Sequence, residues 1–203
     1  MNCSIPEETI EKVAAYHGHK CPGLAIGVRA SELCLQKLGH NDQNALVAIC
    51  ETDMCGVDAI SFLTGCTVGK GNLLFRDYGK MAFNFFKKET GECFRAVLNP
   101  DAYGRQGVEM VALMKKFLAG EANEDETRLN FQLRKQVEDN IYNQSLDELF
   151  KIEKPQISLP RDAKVLQSIT CDECGESTME SRIRLFDGRK LCIPCFNKVE
   201  QKI

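Results

Sequence analysis

No apolar run in these 203 residues approaches the ~20 residues that a membrane-crossing helix needs. The opening Met1-Asn-Cys-Ser-Ile-Pro-Glu-Glu8 lacks the basic and apolar regions of a signal peptide, so the expected location is the cytoplasm. Positive charge is not in excess either. The net charge is −3, with neither a basic run nor an aromatic stacking ladder, which argues against nucleic acid and anionic membranes as partners. Internal repeats and low-complexity stretches are absent. Gly65-Cys-Thr-Val-Gly-Lys-Gly71 has the wrong spacing for a P-loop, and no Lys-Ser/Thr pair opens a helix there. Histidine is scarce: the chain has three, and two of them, His17 and His19, fall within one five-residue segment.

What is abundant is cysteine, eleven in all. In a reducing compartment these read as metal ligands, reactive thiols or small core residues rather than disulfides. Cys34 and Cys50 sit in apolar patterns and suit the core, while Cys3 and Cys93 have no partner motif. Cys171-Asp-Glu-Cys174 and Cys192-Ile-Pro-Cys195 are two CxxC pairs with 17 residues between them, the spacing of a tetrahedral structural zinc site. About 35 residues cannot bury enough apolar surface to fold unaided, and bound zinc offsets that deficit. Asp187-Gly188 predicts a hairpin between the pairs, and Cys195 is expected to open a terminal helix over 196–199. Knuckle, hairpin and helix together make a treble clef. Its basic residues leave docking of a protein or nucleic acid open as a role.

With 43% hydrophobic residues, the rest of the chain can support an ordinary core. Ser4-Ile-Pro-Glu7 predicts a capping box and a helix to about Tyr16. Pro22 fits the first turn of a second helix that Gly39 ends, and Gly23 and Gly27 on it predict close approach of another backbone. Ala45–Cys50 reads as a buried strand, followed by a short helix after Cys55. Strands are expected at 73–75, 81–86 and 93–98, helices over 110–118 and the polar stretch after 126, and a short helix at 145–150. Lys154-Pro through Pro160-Arg-Asp reads as a linker.

The chemistry concentrates in His17-Gly-His19-Lys-Cys21, with Cys55 and Cys66 downstream. A glycine between two imidazoles lets the loop fold tightly enough for imidazole and thiolate to converge on one metal. Cys21 and Cys55 each stand where a helix begins, where the dipole and free N–H groups are expected to lower a thiol pKa. Two histidines and one or two thiolates suit zinc or another divalent transition metal, and with three protein ligands one position stays open. Asp58 and Glu51 are candidates to orient the histidines or act as bases; surface and helix-cap roles are the alternative. Cys21, Cys55, Asp58, Cys66 and Lys70 are the candidates for chemistry, Lys70 by holding an anion or by being merely solvated.

Four blocks carry a family resemblance across roughly residues 10–100: His17-Gly-His-Lys-Cys-Pro-Gly-Leu-Ala-Ile-Gly27, Glu51-Thr-Asp-x-Cys-x-x-Asp-Ala-Ile60, Gly65-Cys-Thr-x-Gly-Lys-Gly-Asn-Leu73 and Asp77-Tyr-Gly-Lys80. In this order they resemble the E-subunit family of formylmethanofuran dehydrogenase. The resemblance implies an α+β core, a mixed sheet flanked by helices in a thioredoxin-like manner, and in some members a C-terminal treble-clef zinc finger. It also implies a metal-binding active site on His17, His19, Cys21 and Cys55, with Cys66 and Asp58 nearby. Members are associated with the molybdenum or tungsten formylmethanofuran dehydrogenase of methanogenesis. This chain lacks a ferredoxin-like cysteine array and a pterin-binding apparatus, so it is not the molybdenum or tungsten catalytic subunit. The finger segment resembles the TraR/DksA type.

The expected organisation is therefore an α+β metal-binding core (1–155), a linker (156–167) and a finger (168–203) holding zinc through Cys171, Cys174, Cys192 and Cys195. The function expected is that of a metal-binding protein, an accessory subunit or a metal-dependent enzyme associated with oxidoreductase chemistry. A homodimer and formylmethanofuran dehydrogenase subunits are the expected partners. A non-enzymatic adaptor docking through its finger is the alternative, and a thiol redox enzyme using Cys21 or Cys55 is a third reading.

Overall fold

A computed structural model of the chain describes residues 2–41, 45–162 and 164–200. The first and last residues of the expected domains (1 and 201–203) lie outside the described residues. Chain contacts divide the protein into two compact units, Met1–Pro160 and Arg161–Ile203.

In the larger unit, α1 (Glu7–His17) and α2 (Pro22–Leu38) precede β1 (Leu46–Cys50), α3 (Gly56–Thr64) and β2 (Leu73–Phe75). There follow β3 (Ala82–Lys87), β4 (Cys93–Leu98), α4 (Gln106–Leu118), α5 (Glu124–Asn143), α6 (Leu146–Leu149) and β5 (Phe150–Glu153). Among the described residues the strands form one mixed sheet in the order β2-β1-β3-β4-β5. β1 and β2 are parallel, and the other neighbours are antiparallel. The α+β class and mixed sheet expected from the sequence are what the unit has.

Every residue of β1 is buried, which is why it reads as a continuous apolar run rather than an alternating one. Leu46, Ala48 and Cys50 join Phe83, Phe85 and Phe94 in the main core with α1, α2, α3 and α5. Val47 and Ile49 face the opposite side with Phe86, and Ile157, from the stretch read as linker, packs on them. At the end of β1, Glu51 takes both Arg95 Nε (2.6 Å) and Nη2 (2.7 Å) and the Asn84 amide (3.0 Å). Arg95 also donates to Glu153 on β5 at 2.9 Å, so one guanidinium ties together β4, β5 and the end of β1. Arg95 holds the Glu51 carboxyl below its ordinary range.

Two local expectations fail. The capping box at Ser4 does not form: Pro6 occupies the cap without a side-chain bond, and the Ser4 N–H goes to Glu32 Oε1 at 2.6 Å. Capping boxes form instead at Asn123/Glu126 and Ser145/Glu148, opening α5 and α6. The segment 145–150 splits: α6 stops at Leu149, and Phe150 starts β5, drawn into the sheet by pairing with Leu98. A four-residue strand on a sheet edge carries little local signal against that long-range pairing.

The smaller unit contains two hairpins, β6 (Ser168–Thr170) with β7 (Ser177–Met179) and β8 (Ile183–Phe186) with β9 (Arg189–Cys192). Asp187-Gly188 makes the second turn, with positive φ at both residues, as a type I′ turn needs. The terminal helix α7 (Ile193–Phe196) starts earlier than expected, with Pro194 in its first turn and Cys195 inside it.

Candidate metal centre

Helix α1 ends at His17, and Gly18, at φ 96°, turns the chain sharply away. The turn returns His19 against His17, ring centroids 4.5 Å apart. The chain enters α2 through Cys21, whose Sγ accepts the Leu24 N–H at 3.3 Å. The thiol thus stands where Ser or Asp would cap a helix.

Cys55 lies at the start of α3, and what brings it to Cys21 is the crossing of α2 and α3. A Cβ on Gly27 would fall 2.2 Å from the Gly56 carbonyl oxygen, so the two backbones touch, as the glycine spacing predicted. A Cβ on Gly23 would stand 3.8 Å from Cys55 Sγ and 3.9 Å from Cys21 Sγ.

His17 Nδ1 lies 2.7 Å from Asp58 Oδ2. With a carboxylate as acceptor, Nδ1 is the donor, which leaves Nε2 as the nitrogen that can ligate a metal. That Nε2 is buried and has no hydrogen-bond partner. An imidazole fixed by a carboxylate on one nitrogen, with the other nitrogen bare and desolvated, is how proteins prepare a metal ligand. One donor atom each from His17, His19, Cys21 and Cys55 lies within 4.8 Å of all the others. A tetrahedral ion with bonds of about 2.0–2.3 Å needs only small side-chain rotations to close on them. The residues therefore fit a metal.

Without a metal, burial pushes the Cys21 thiol up to about 11, reinforced by Cys55 beside it. The Leu24 N–H pulls the other way and loses, so the expected lowering by the helix start is overturned for Cys21. Burial, His17 and Arg134 lower the His19 pKa. His19 is otherwise exposed and makes no hydrogen bond among the described residues.

Cys21 and Cys55 both line a cleft of about 640 Å³ whose far walls come from α4 and α5. The other candidate residues lie elsewhere. Cys66 is fully buried with its Sγ toward the Leu46 carbonyl at 3.6 Å, and burial raises its pKa. Lys70 Nζ donates to the Gly65 carbonyl at 3.1 Å and is absent from the cleft lining. Glu51 is taken up by Arg95 and Asn84 rather than by a histidine. Sequence reasoning missed Tyr103, Met110, Met114 and Arg134, which reach the cleft from segments far along the chain. Nothing local marks them, because helical periodicity in α4 and α5 reads only as core and solvent faces.

In the smaller unit the second donor group is Cys171, Cys174, Cys192 and Cys195. Cys174 and Cys192 Sγ are 3.8 Å apart, the edge of a tetrahedron with zinc–sulfur bonds of about 2.3 Å. Backbone N–H groups of Cys174 and Cys192 draw the Cys171 pKa down to about 6. Asp172 accepts the Lys190 N–H and so joins the knuckle to β9.

Two four-donor clusters, a two-histidine, two-cysteine group at paired helix starts in an α+β unit and a four-cysteine group in a knuckle-hairpin-helix unit, define a metal-binding protein with a zinc finger. Residues 16–151 match the family model described as FmdE, molybdenum formylmethanofuran dehydrogenase operon, and the chain belongs to that family. Residues 166–201 match the prokaryotic dksA/traR C4-type zinc finger. A tungsten formylmethanofuran dehydrogenase FmdE-like protein from Syntrophus aciditrophicus, known from a crystal structure, is similar at a TM-score of 0.62 and 26% identity. That match covers 94% of this chain and 91% of the other. A probable S-adenosyl-L-methionine-binding protein of Archaeoglobus fulgidus is 26% identical over 190 residues, which is 89% of this chain. The chain spans about half the length of that curated relative, 50%. Among the described residues no helix is long and apolar enough to cross a membrane.

Proposed function

We propose that the larger unit holds a functional divalent metal, zinc or another transition ion, and that the smaller unit's zinc is purely structural. The observation carrying this reading is that Cys21 and Cys55 border the cleft while His17 Nε2, grouped with them, is buried and without a hydrogen-bond partner. His17, Cys21 and Cys55 are the fixed ligands. Each is tied by packing or by a partner: Asp58 on His17, Leu24 N–H on Cys21, and the Gly27–Gly56 crossing beneath Cys55. His19 has only its ring contact with His17, so it is the ligand that can leave and open a coordination position. A metal bound there supplies Lewis-acid polarisation of a ligand oxygen or sulfur. The chain's own residues orient the imidazole, exclude water behind it and line the approach.

By family, the partner proposed is formylmethanofuran dehydrogenase, with this chain in an accessory or metal-dependent role beside its redox subunits. Self-association is supported by Val108, Leu118 and Phe131, large apolar side chains exposed on α4 and α5. Cobalt substitution of the full chain tests the metal assignment. A thiolate-to-cobalt charge-transfer band should persist when Cys174 and Cys192 are changed to Ser and lose its remaining intensity when Cys21 and Cys55 are also changed. A band that disappears entirely with the finger cysteines would overturn it.

A further inference from the structure

The cleft beside the proposed metal is chemically lopsided. Met54, Met81, Met110 and Met114 line it, four of the chain's six methionines, and Tyr103 adds an aromatic wall. Thioether side chains are polarizable and adapt to the shape of an apolar guest. A volume of about 640 Å³ is within the range of small-molecule sites. Into these apolar walls projects one half-buried cation, Arg134 of α5. Among the described residues it makes no direct hydrogen bond or ion pair, and its acidic neighbour on the same helix is Glu138, one turn on, which feels the Arg134 charge without bonding it. Exposed Lys115 of α4 lies on the same helical side. The acidic lining residues, Asp53 and Asp77, come from the opposite side, the loops after β1 and β2, and Asp77 already accepts the Gly79 N–H at 3.0 Å.

A guanidinium with no direct hydrogen-bonded partner beside apolar walls is suited to an oxyanion, because its fork of N–H donors matches two oxygens of a carboxylate or phosphate in a bidentate pair. Arg134 lines the same cleft as Cys21 and Cys55, so a ligand anchored on it can extend toward the Cys21–Cys55 rim.

We infer that the cleft takes a small ligand with one oxyanion group on an apolar body, the oxyanion held by Arg134 with Lys115 assisting and the body laid along the methionines toward the metal. This rests on the reading of the His17–Cys55 cluster as a metal centre only for which end reacts. Anion capture by Arg134 stands by itself.

The methionines supply the test. Full-length, metal-loaded protein with isotope-labelled methionine methyl groups is titrated with phenylbutyrate, with its neutral amide and with phenyl phosphate, and the methyl resonances are followed by NMR. Phenylbutyrate should shift the cleft methyls and leave Met179 of the smaller unit unmoved, and the amide should bind at least about tenfold more weakly. Phenyl phosphate against phenylbutyrate tells which oxyanion is preferred. R134Q should lose about tenfold or more of the oxyanion affinity, and R134K, which keeps the charge without the fork, should fall between. The ligand-free methyl spectrum of each variant reports its fold. Equal binding of acid and amide, unchanged affinity in R134Q and R134K, or no shift of the cleft methyls at saturating probe would each overturn the inference. Elemental analysis of the same samples separates the two readings. Arg134-dependent binding in protein whose core carries no metal refutes the metal centre alone, and full core metal with no oxyanion binding refutes this inference alone.

Discussion

The protein carries two four-donor sites built in opposite ways. In the larger unit the fold makes the site: α2 and α3 meet at Gly27 and Gly56, and this backbone crossing, packed into the apolar core, delivers Cys21 and Cys55 to one place. In the smaller unit the site makes the fold. Among the described residues its buried cluster is Cys171, Leu191, Cys192 and Cys195, with Phe186, Phe196 and Val199 against it, so three of its four members are candidate metal ligands. Such a core cannot outweigh chain entropy, and metal binding has to supply the difference. The difference fits the roles proposed for them. A site held by packing can leave one ligand loose and face a cleft, whereas a site that holds its own domain together has to keep all four donors engaged.

The largest effect is expected in the finger. Cys174→Ser should abolish its structure, seen as loss of hydrogen-exchange protection in β8 and β9, while the larger unit's protection stays as in the wild type. Protected β8 and β9 amides in the variant would put the finger's stability in its apolar residues and erase the contrast. Gly27→Ala attacks the other site through packing. Its Cβ would meet the Gly56 carbonyl, and α2 and α3 must move apart at a cost of about 3 kcal/mol. Denaturant unfolding should show that loss together with loss of core metal, the finger's zinc being retained. A stable variant that keeps both metals would mean that the crossing does not position the thiols.

The Glu51–Arg95 network should matter for the larger unit alone. Glu51→Gln is expected to destabilise it by about 3 kcal/mol, since it takes the charge partner from a buried guanidinium. The Glu51 pKa is depressed from its ordinary 4.5, chiefly by hydrogen bonds from Arg95. Its contribution is therefore complete above about pH 4.5 and is lost as pH falls through the lower folded value. Wild type and variant should converge in stability in that acid range; a constant gap at all pH values would assign the loss to shape rather than charge. The smallest effect is expected for Asp58→Asn, which keeps the fold and weakens core metal by about 10–100-fold, as removal of a partner behind a ligating histidine does. Competition with a chelator of known affinity reads it, and an unchanged affinity would make the Asp58 contact incidental.

The sequence was legible where residue type alone carries the physics. CxxC spacing, the Asp187-Gly188 turn and Pro22 at a helix start are local signals, and Gly27 was readable as a contact because only a missing side chain allows one backbone onto another. His17, His19 and Cys21 were visible because two of the chain's three histidines are crowded into one loop beside a thiol, and Cys55 because it stands between a strand and a helix. What stayed hidden depended on distance along the chain. Cys66 stands in a glycine-rich loop that looks reactive, yet its neighbours are the apolar core around Leu46, which no local pattern states. Cys21 looked activated by its helix start, but burial outweighs one N–H donor. Arg134 and the cleft methionines come from helices whose periodicity says which face is apolar and not what that face meets.

A metal held by the larger unit on its own, independent of the finger, is what the contrast between the two sites depends on. Elemental analysis of full-length protein with both Cys174 and Cys192 changed to Ser puts this to the test. About one equivalent of metal should remain per chain, and it should be lost when His17 and Cys55 are then changed to Ala. Metal-free protein after the finger substitutions alone would contradict a metal centre in the larger unit.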